Sequence, residues 1–374
     1  MKKVKKHIRV IISGGGTGGH IFPAIAIADE IKRRDRNAEI LFVGSRGRME
    51  MERIPAAGYK IKGLPVSGIQ RRFTLKNIVV LVDLIRSLRI AGKIIRDFRP
   101  DIAIGVGGYA SGPVLRIAAK HGIPTILQEQ NSCAGITNRL LSRKASIICV
   151  AYRDMDKYFP KEKIVLTGNP VRMITISDEL IREGIKYFGL INDWPIILVV
   201  GGSLGARTIN EDMLEKISFL EKQEIQILWQ TGKYYYDEIK EKLVHKKPKN
   251  IHICDFISRM DLAYNVADLM ISRAGAISLS EICLTGRAAI LVPSPNVAED
   301  HQTKNAKALV SEKAAIMISD ADAKNKLIDK MMELMDNPDM RAELARNSKK
   351  LAIPNSAALI VDEVDNLIVR EGKN

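Results

Sequence analysis

Cysteine is scarce in this chain. Cys133, Cys149, Cys254 and Cys283 stand far apart, with no Cys-x-x-Cys pair and no His-x-x-x-His spacing beside them. A disulfide framework and a zinc site are excluded, and reduced core thiols of a cytosolic protein are the reading left. Aromatic residues make up only 5% of the chain, and no stretch interleaves them with Arg and Lys, so a base-stacking nucleic-acid platform is excluded as well. No apolar run approaches the roughly 18 residues a membrane-spanning helix needs. The N-terminus, rich in lysine through Lys6, begins like a signal peptide, but the apolar run after it stops at Ser13 and reads as a first strand. The only Asp-x-Asp spacings, Asp154 with Asp156 and Asp320 with Asp322, fall on polar, helix-like stretches, so no metal and no cofactor are expected. Acidic residues are short only in the first part. Through Arg172 there are 32 Lys and Arg against 13 Asp and Glu, and beyond it 26 against 30. The basic part calls for a polyanion, and without a base-stacking platform an anionic membrane surface is favoured over nucleic acid.

Glycine, by contrast, is concentrated. Gly14, Gly15, Gly16, Gly18 and Gly19 surround Thr17 and lead to His20, between an apolar run at 8–12 and a helical pattern at 22–34. A strand, a bare turn and a helix in that order bring main-chain amides close to a ligand, and a phosphate is the natural one. Apolar, β-branched runs at 39–43, 59–64, 102–106, 125–128, 146–150 and 164–167 alternate with helical patterns. This rhythm gives an α/β fold with a parallel sheet covered on both faces. A second glycine loop spans 105–113, and a polar junction at 129–135 carries Asn131; both follow strands, at the sheet edge where ligands bind. The pattern restarts with a strand at 196–200, the loop 201–206, and strands at 225–229, 251–254, 269–272, 288–292 and 315–318. Two Rossmann-like doubly wound sheets are therefore expected, facing across a cleft: residues 1–168, a hinge at 169–195, and residues 196–354. A C-terminal helix from 355 to 374 packs on one or the other.

Arg71 and Arg72 precede, and Lys76 opens, a helical stretch, 75–88, whose apolar set Ile78, Val79, Leu81, Val82, Ile85 and Leu88 is wide enough to form one side of the core. The loop Ile69 to Phe73 reads as a membrane contact, with Ile69 and Phe73 at the acyl boundary and Arg71, Arg72 and Lys76 on the anionic headgroups.

Gly14 to His20, Gly107 to Gly112, Glu129 to Asn131, Gly168 to Arg172, Gly201 to Ala206, Ser272 to Ala276 with Glu281, and Asp300 to Gln302 with Asn305 occur in one order. Together they closely resemble the MurG family of bacterial N-acetylglucosaminyltransferases over nearly the whole chain. The resemblance implies a GT-B fold, a UDP-GlcNAc donor and an undecaprenyl-pyrophosphoryl-MurNAc-pentapeptide acceptor, lipid I. It also implies a peripheral place on the cytoplasmic face of the inner membrane, with a cell-wall synthesis complex as a possible partner. By position it assigns the uracil to the backbone of Ile257, the ribose to Glu281, the diphosphate to Ser203 and the amides from Ala276, and the GlcNAc hydroxyls to Gln302. Arg172 reaches the donor, and Thr17, Gly18, Gly19 and Asn131 close over its sugar. Gly14, Gly15 and Gly16, with Gly107, Gly108, Tyr109 and Ser111, cradle the acceptor pyrophosphate.

The chemistry needs a base for the acceptor hydroxyl, and a group with a pKa near ambient pH does this best. His20 is the candidate, with Asp101 and Glu129 as alternatives by position; a histidine that only touches backbone at a helix start is the plainer reading. No carboxylate nucleophile presents itself, so single displacement with inversion is expected. Another glycolipid transferase of the same fold, or a non-catalytic nucleotide-sugar-binding protein recruited to a membrane, remain as alternatives.

Overall fold

The computed structural model of the chain describes residues 7–66, 76–172, 174–244 and 248–371. The chain divides into two units, Met1–Arg172 with Ile353–Asn374, and Met173–Ala352. The first is built on seven strands: β1 (Arg9–Ser13), β2 (Glu39–Ser45), β3 (Lys60–Leu64), β4 (Ile102–Gly105), β5 (Thr125–Glu129), β6 (Ile147–Val150) and β7 (Ile164–Leu166). Their order is β3-β2-β1-β4-β5-β6-β7, and every pairing is parallel. The second unit holds β8 (Ile196–Val200), β9 (Gln226–Gln230), β10 (Ile251–Cys254), β11 (Leu269–Ser272), β12 (Ala288–Leu291) and β13 (Ile316–Met317). Its order is β10-β9-β8-β11-β12-β13, again all parallel. Each apolar run expected to be a strand is one, within two residues at either end.

The two-sided burial of these sheets explains their sequence. In β1, Val10 and Ile12 join the core formed with Ile21, Ile27 and Ile104, while Ile11 between them joins Leu41, Val43 and Leu127 on the opposite face. A strand buried on both faces has no polar alternation and reads as a continuous apolar run. The C-terminal helix Ser356–Glu371 belongs to the first of these cores through Ile360, Val361, Val364 and Leu367. Each such buried aliphatic side chain contributes roughly 1.5–3 kcal/mol. Arg34, at the end of helix Gly18–Arg34, fastens the same helix from outside, donating to Asp362 at 2.7 Å, Asp365 at 3.0 Å and the Ala358 carbonyl at 2.9 Å.

The helix expected near residue 75 is present as Lys76–Phe98, but its apolar set is not all core. Leu81, Val82, Leu84 and Ile85 are exposed, Ser87, Ala91, Ile94 and Ile95 are buried, and the side chains of Ile78 and Val79 lie outside the described residues. The helix packs on Ser111–Lys120. Ile69, Arg71, Arg72 and Phe73, and the side chain of Lys76, lie outside the described residues. Among the described residues no helix is long and apolar enough to cross a membrane.

Candidate active site

In each sheet the strand order reverses between two neighbours, β1 and β4 in the first and β8 and β11 in the second, and ligands of doubly wound folds bind outside the carboxyl ends of such a pair. The loops that follow β1, β4 and β8 are glycine-rich, and the one that follows β11 carries Gly275.

In the first unit the loop after β1 lies directly against the loop after β4. A Cβ at Gly14 would sit 2.2 Å from the Val106 side chain, and one at Gly108 would sit 2.5 Å from the Gly15 carbonyl oxygen. Only bare backbone allows this approach. Two of the loop amides are already committed, Gly14 to the Val43 carbonyl at 3.3 Å and Gly16 to the Glu50 carboxylate at 2.9 Å. The amides of Thr17, Gly18 and Gly19 lie at the start of helix Gly18–Arg34, where no preceding turn supplies carbonyls, so they are the donors suited to an anion. Ser111 is buried, and its hydroxyl donates to the Gly108 carbonyl at 2.9 Å, which gives it a loop-holding part; Tyr109 beside it is 58% exposed.

His20 stands in the first turn of that helix. Its Nδ1 is 3.1 Å from the Gly15 carbonyl oxygen and 3.2 Å from Thr17 Oγ1. A carbonyl oxygen only accepts, so Nδ1 carries the hydrogen, and in the neutral ring Nε2 carries the lone pair. That is the tautomer a general base needs. The alternatives are placed differently. Asp101 accepts from the Arg9 amide at 2.7 Å, at the amino end of the sheet, away from the loops. Glu129 is buried and saturated: the amides of Asn131 and Gly135 and the side chains of Asn131 and Asn138 all donate to it. Burial pushes its pKa upward, opposed by those donors. It shapes the loop that carries Asn131. Beneath lies a buried amide network that motif reading missed, in which Gln130 donates to the Val106 carbonyl and to Gln128, and Gln128 to Asn169. It ties the loop after β5 to the loop after β4.

The second unit contains a cavity of about 570 Å³ at its switch point, lined among others by Gly202, Gly205, Arg273, Gly275, Ser278 and Gln302. Helices Arg207–Glu215, Ala276–Thr285, His301–Val310 and Asp320–Met335 all bring residues of their amino ends to it. Four positive helix ends around one polar cavity make a site for a multiply charged anion. Gln302, expected to read the sugar, lines the cavity and accepts from the Ser294 amide at 2.8 Å. Ser203, expected at the diphosphate, is exposed and is not among the residues that line it, whereas Gly202 beside it is. Glu281 is buried and accepts from Tyr264 at 2.7 Å. The Ile257 amide donates to the Gln230 side chain at 2.8 Å, so its carbonyl is the group suited to a base edge. Gln230 donates in turn to the Gly202 carbonyl at 3.0 Å, joining the loop expected at the uracil to the one expected at the diphosphate. Arg172 is exposed, at the last residue of the first unit's main segment.

Two residues without an assigned part stand out in this cavity. Arg273 donates to the carbonyls of Val292 and Pro293 and pairs with Asp320, to which Thr208 also donates at 2.9 Å. The guanidinium thereby joins the ends of β11 and β12 to the helix after β13. Its sequence signal was a lone arginine between a strand and a glycine, too brief to show what it would meet.

Two doubly wound parallel sheets in one chain, with glycine-bearing loops at their switch points, are the arrangement of the GT-B fold. Residues 10–150 match the Glycosyltransferase family 28 N-terminal domain, and residues 196–360 the Glycosyltransferase family 28 C-terminal domain. The chain is 54% identical, over 96% of its length and 98% of the relative's, to the UDP-N-acetylglucosamine–N-acetylmuramyl-(pentapeptide) pyrophosphoryl-undecaprenol N-acetylglucosamine transferase of Parabacteroides distasonis. It is also 54% identical to the protein of that name from Phocaeicola vulgatus, covering 97% of each. Among solved structures it is similar to MurG of Acinetobacter baumannii, with a TM-score of 0.77 and 27% identity, covering 96% of this chain and 99% of the other. The chain belongs to the MurG family of N-acetylglucosamine transferases.

Proposed function

We propose that this protein transfers GlcNAc from UDP-GlcNAc to the C4 hydroxyl of MurNAc in undecaprenyl-pyrophosphoryl-MurNAc-pentapeptide, converting lipid I to lipid II for peptidoglycan synthesis. The observation that carries this reading is identity above 50% over nearly the full length to relatives of that name.

The second unit holds the donor. Its diphosphate lies among the helix amino ends of the cavity, including the amides from Ala276, with Gln302 at the sugar hydroxyls, Glu281 at the ribose and the Ile257 carbonyl at the uracil. The first unit holds the acceptor, whose pyrophosphate meets the paired glycine loops. As the C4 oxygen attacks the anomeric carbon, His20 Nε2 takes its proton. The bond from that carbon to the diphosphate oxygen breaks, its electron pair leaves with UDP, and the anomeric centre inverts from α to β. Main-chain amides and Arg172 stabilise the charge that develops on the leaving group, without a metal. Asn131, Thr17, Gly18 and Gly19 close over the donor sugar.

The enzyme works at a membrane, as its polyprenyl acceptor requires, peripherally and on the cytoplasmic face. The exposed Leu81, Val82, Leu84 and Ile85, with Arg86 and Arg89 on the same helix, support an anionic lipid contact. A bacterium depleted of its own lipid II-forming transferase tests the reading. The wild-type chain should restore growth. His20→Ala, with transfer reduced about 100-fold or more but UDP-GlcNAc still bound, should not. Growth restored by His20→Ala would remove the imidazole from the mechanism.

A further inference from the structure

We propose that Glu50 is a positioning residue for His20, acting through the single peptide group between Gly15 and Gly16. The inference rests on the reading of His20 as the base.

Glu50 opens the short helix Glu50–Ala56 and is 1% exposed. One carboxylate oxygen accepts from the Ser45 amide at the end of β2, the other from the Gly16 amide, both at 2.9 Å. Both contacts are N–H donors, so each carboxylate oxygen acts as an acceptor. The Gly16 N–H and the Gly15 C=O belong to one peptide plane. On its far side the Gly15 oxygen receives His20 Nδ1–H at 3.1 Å. Carboxylate, peptide and imidazole thus form one line of hydrogen bonds. Negative charge at one end polarises the amide and makes its carbonyl a stronger acceptor for the imidazole hydrogen.

The surroundings are built closely around this line. A Cβ at Gly15 would lie 2.2 Å from a Glu50 oxygen, and Gly15 has φ +148, so a side chain there is excluded twice over. A Cβ at Gly44 would meet Glu50 Cγ at 2.6 Å, and one at Gly107 would meet His20 Nε2 at 2.8 Å. Among the groups that face the line are the Ser45 and Gly44 backbone from β2, Thr17 from the helix start, the backbone of Gly107 and Gly108 from the second loop, and the Gln130 side chain behind Gly107. Among the described residues no lysine, arginine or second carboxylate pairs with Glu50. The carboxylate therefore orients the ring in the way a triad acid orients its histidine, but with a peptide group between them.

Glu50→Gln tests this. The amide keeps the shape but must set an NH₂ against one of two N–H donors. The expected result is a fall in kcat of about 10-fold, less than that of His20→Ala, with the KM for UDP-GlcNAc unchanged. The acid limb of the pH profile should move to lower pH, because the imidazolium loses the carboxylate's field. ¹⁵N spectra of the His20 imidazole should pass from a single Nδ1–H tautomer to a mixture. In the His20→Ala background Glu50→Gln should cost nothing further, since the two act as a unit. Equal losses in both backgrounds, an unchanged pH profile, or a tautomer unaffected by Glu50→Gln would overturn the proposal. The spectra distinguish its failure from that of the base reading: full activity of His20→Ala removes the base, while the tautomer still reports whether Glu50 orients the ring.

Discussion

Asp212 lies in helix Arg207–Glu215, 1% exposed, and neither of its carboxylate oxygens meets a hydrogen-bond donor among the described residues. Burial, with Glu215 adding to it, pushes its pKa up to about 7. A carboxylate whose pKa is higher folded than unfolded binds more protons in the folded state between the two values, so folding stability falls as pH rises from about 4 to about 7. Asp212→Asn should remove that slope and raise the melting temperature at pH 8 while leaving it nearly unchanged at pH 4. A melt of the variant that tracks wild type at both pH values would contradict the assignment. Other residues at this scale show where sequence reading stops. His20 was legible because it ends a glycine run at a strand-to-helix junction. Glu50 was not, because its role depends on the missing side chains of Gly15 and Gly44, which only the folded loop brings to it. Gln230 was hidden for the same kind of reason: it bridges Gly202 and Ile257, which are far apart in the chain.

At the scale of elements, the strands were fully legible. Burial on both faces makes a parallel strand a short apolar run, and thirteen such runs became thirteen strands. Helices were legible in place but not in what they face. In Lys76–Phe98 an apolar stripe marks both a buried turn, at Ala91, Ile94 and Ile95, and an exposed one, at Leu81, Val82, Leu84 and Ile85, and the sequence alone does not distinguish them. The exposed half gives a prediction. Leu81→Gln combined with Ile85→Gln should reduce co-sedimentation with anionic phospholipid vesicles severalfold, since each buried methylene contributes about 0.8 kcal/mol to such binding. The melting temperature should hold, because those side chains do not pack in the core. Unchanged vesicle binding would place the lipid contact elsewhere. The C-terminal helix Ser356–Glu371 illustrates the other difficulty: its apolar face was plain, but the pattern left two possible partners, and the core around Ile360 and Val364 lies in the first unit.

At the scale of the whole molecule, the chain divides its charge and its chemistry in the same way. The segment through Arg172 carries the basic surplus, with the glycine loops and His20, and suits a pyrophosphate on an anionic membrane. The second unit, slightly acidic overall, brings helix amino ends to its cavity, so under the proposed function affinity for the donor diphosphate would come from oriented backbone more than from net charge. The fold itself does not choose the sugar or the acceptor. Those rest on family membership over nearly the whole chain, with Gln302 at the sugar as part of the proposal, and they need a direct test. The most direct is transfer of labelled GlcNAc from UDP-GlcNAc onto a short-chain lipid I analogue in the presence of EDTA, with UDP-glucose and UDP-galactose as competing donors. The expected result is a disaccharide product from UDP-GlcNAc alone, with its new link β and its yield unaffected by EDTA. A product formed as readily from the other donors, or none on lipid I while another glycolipid is glycosylated, would contradict the proposed function.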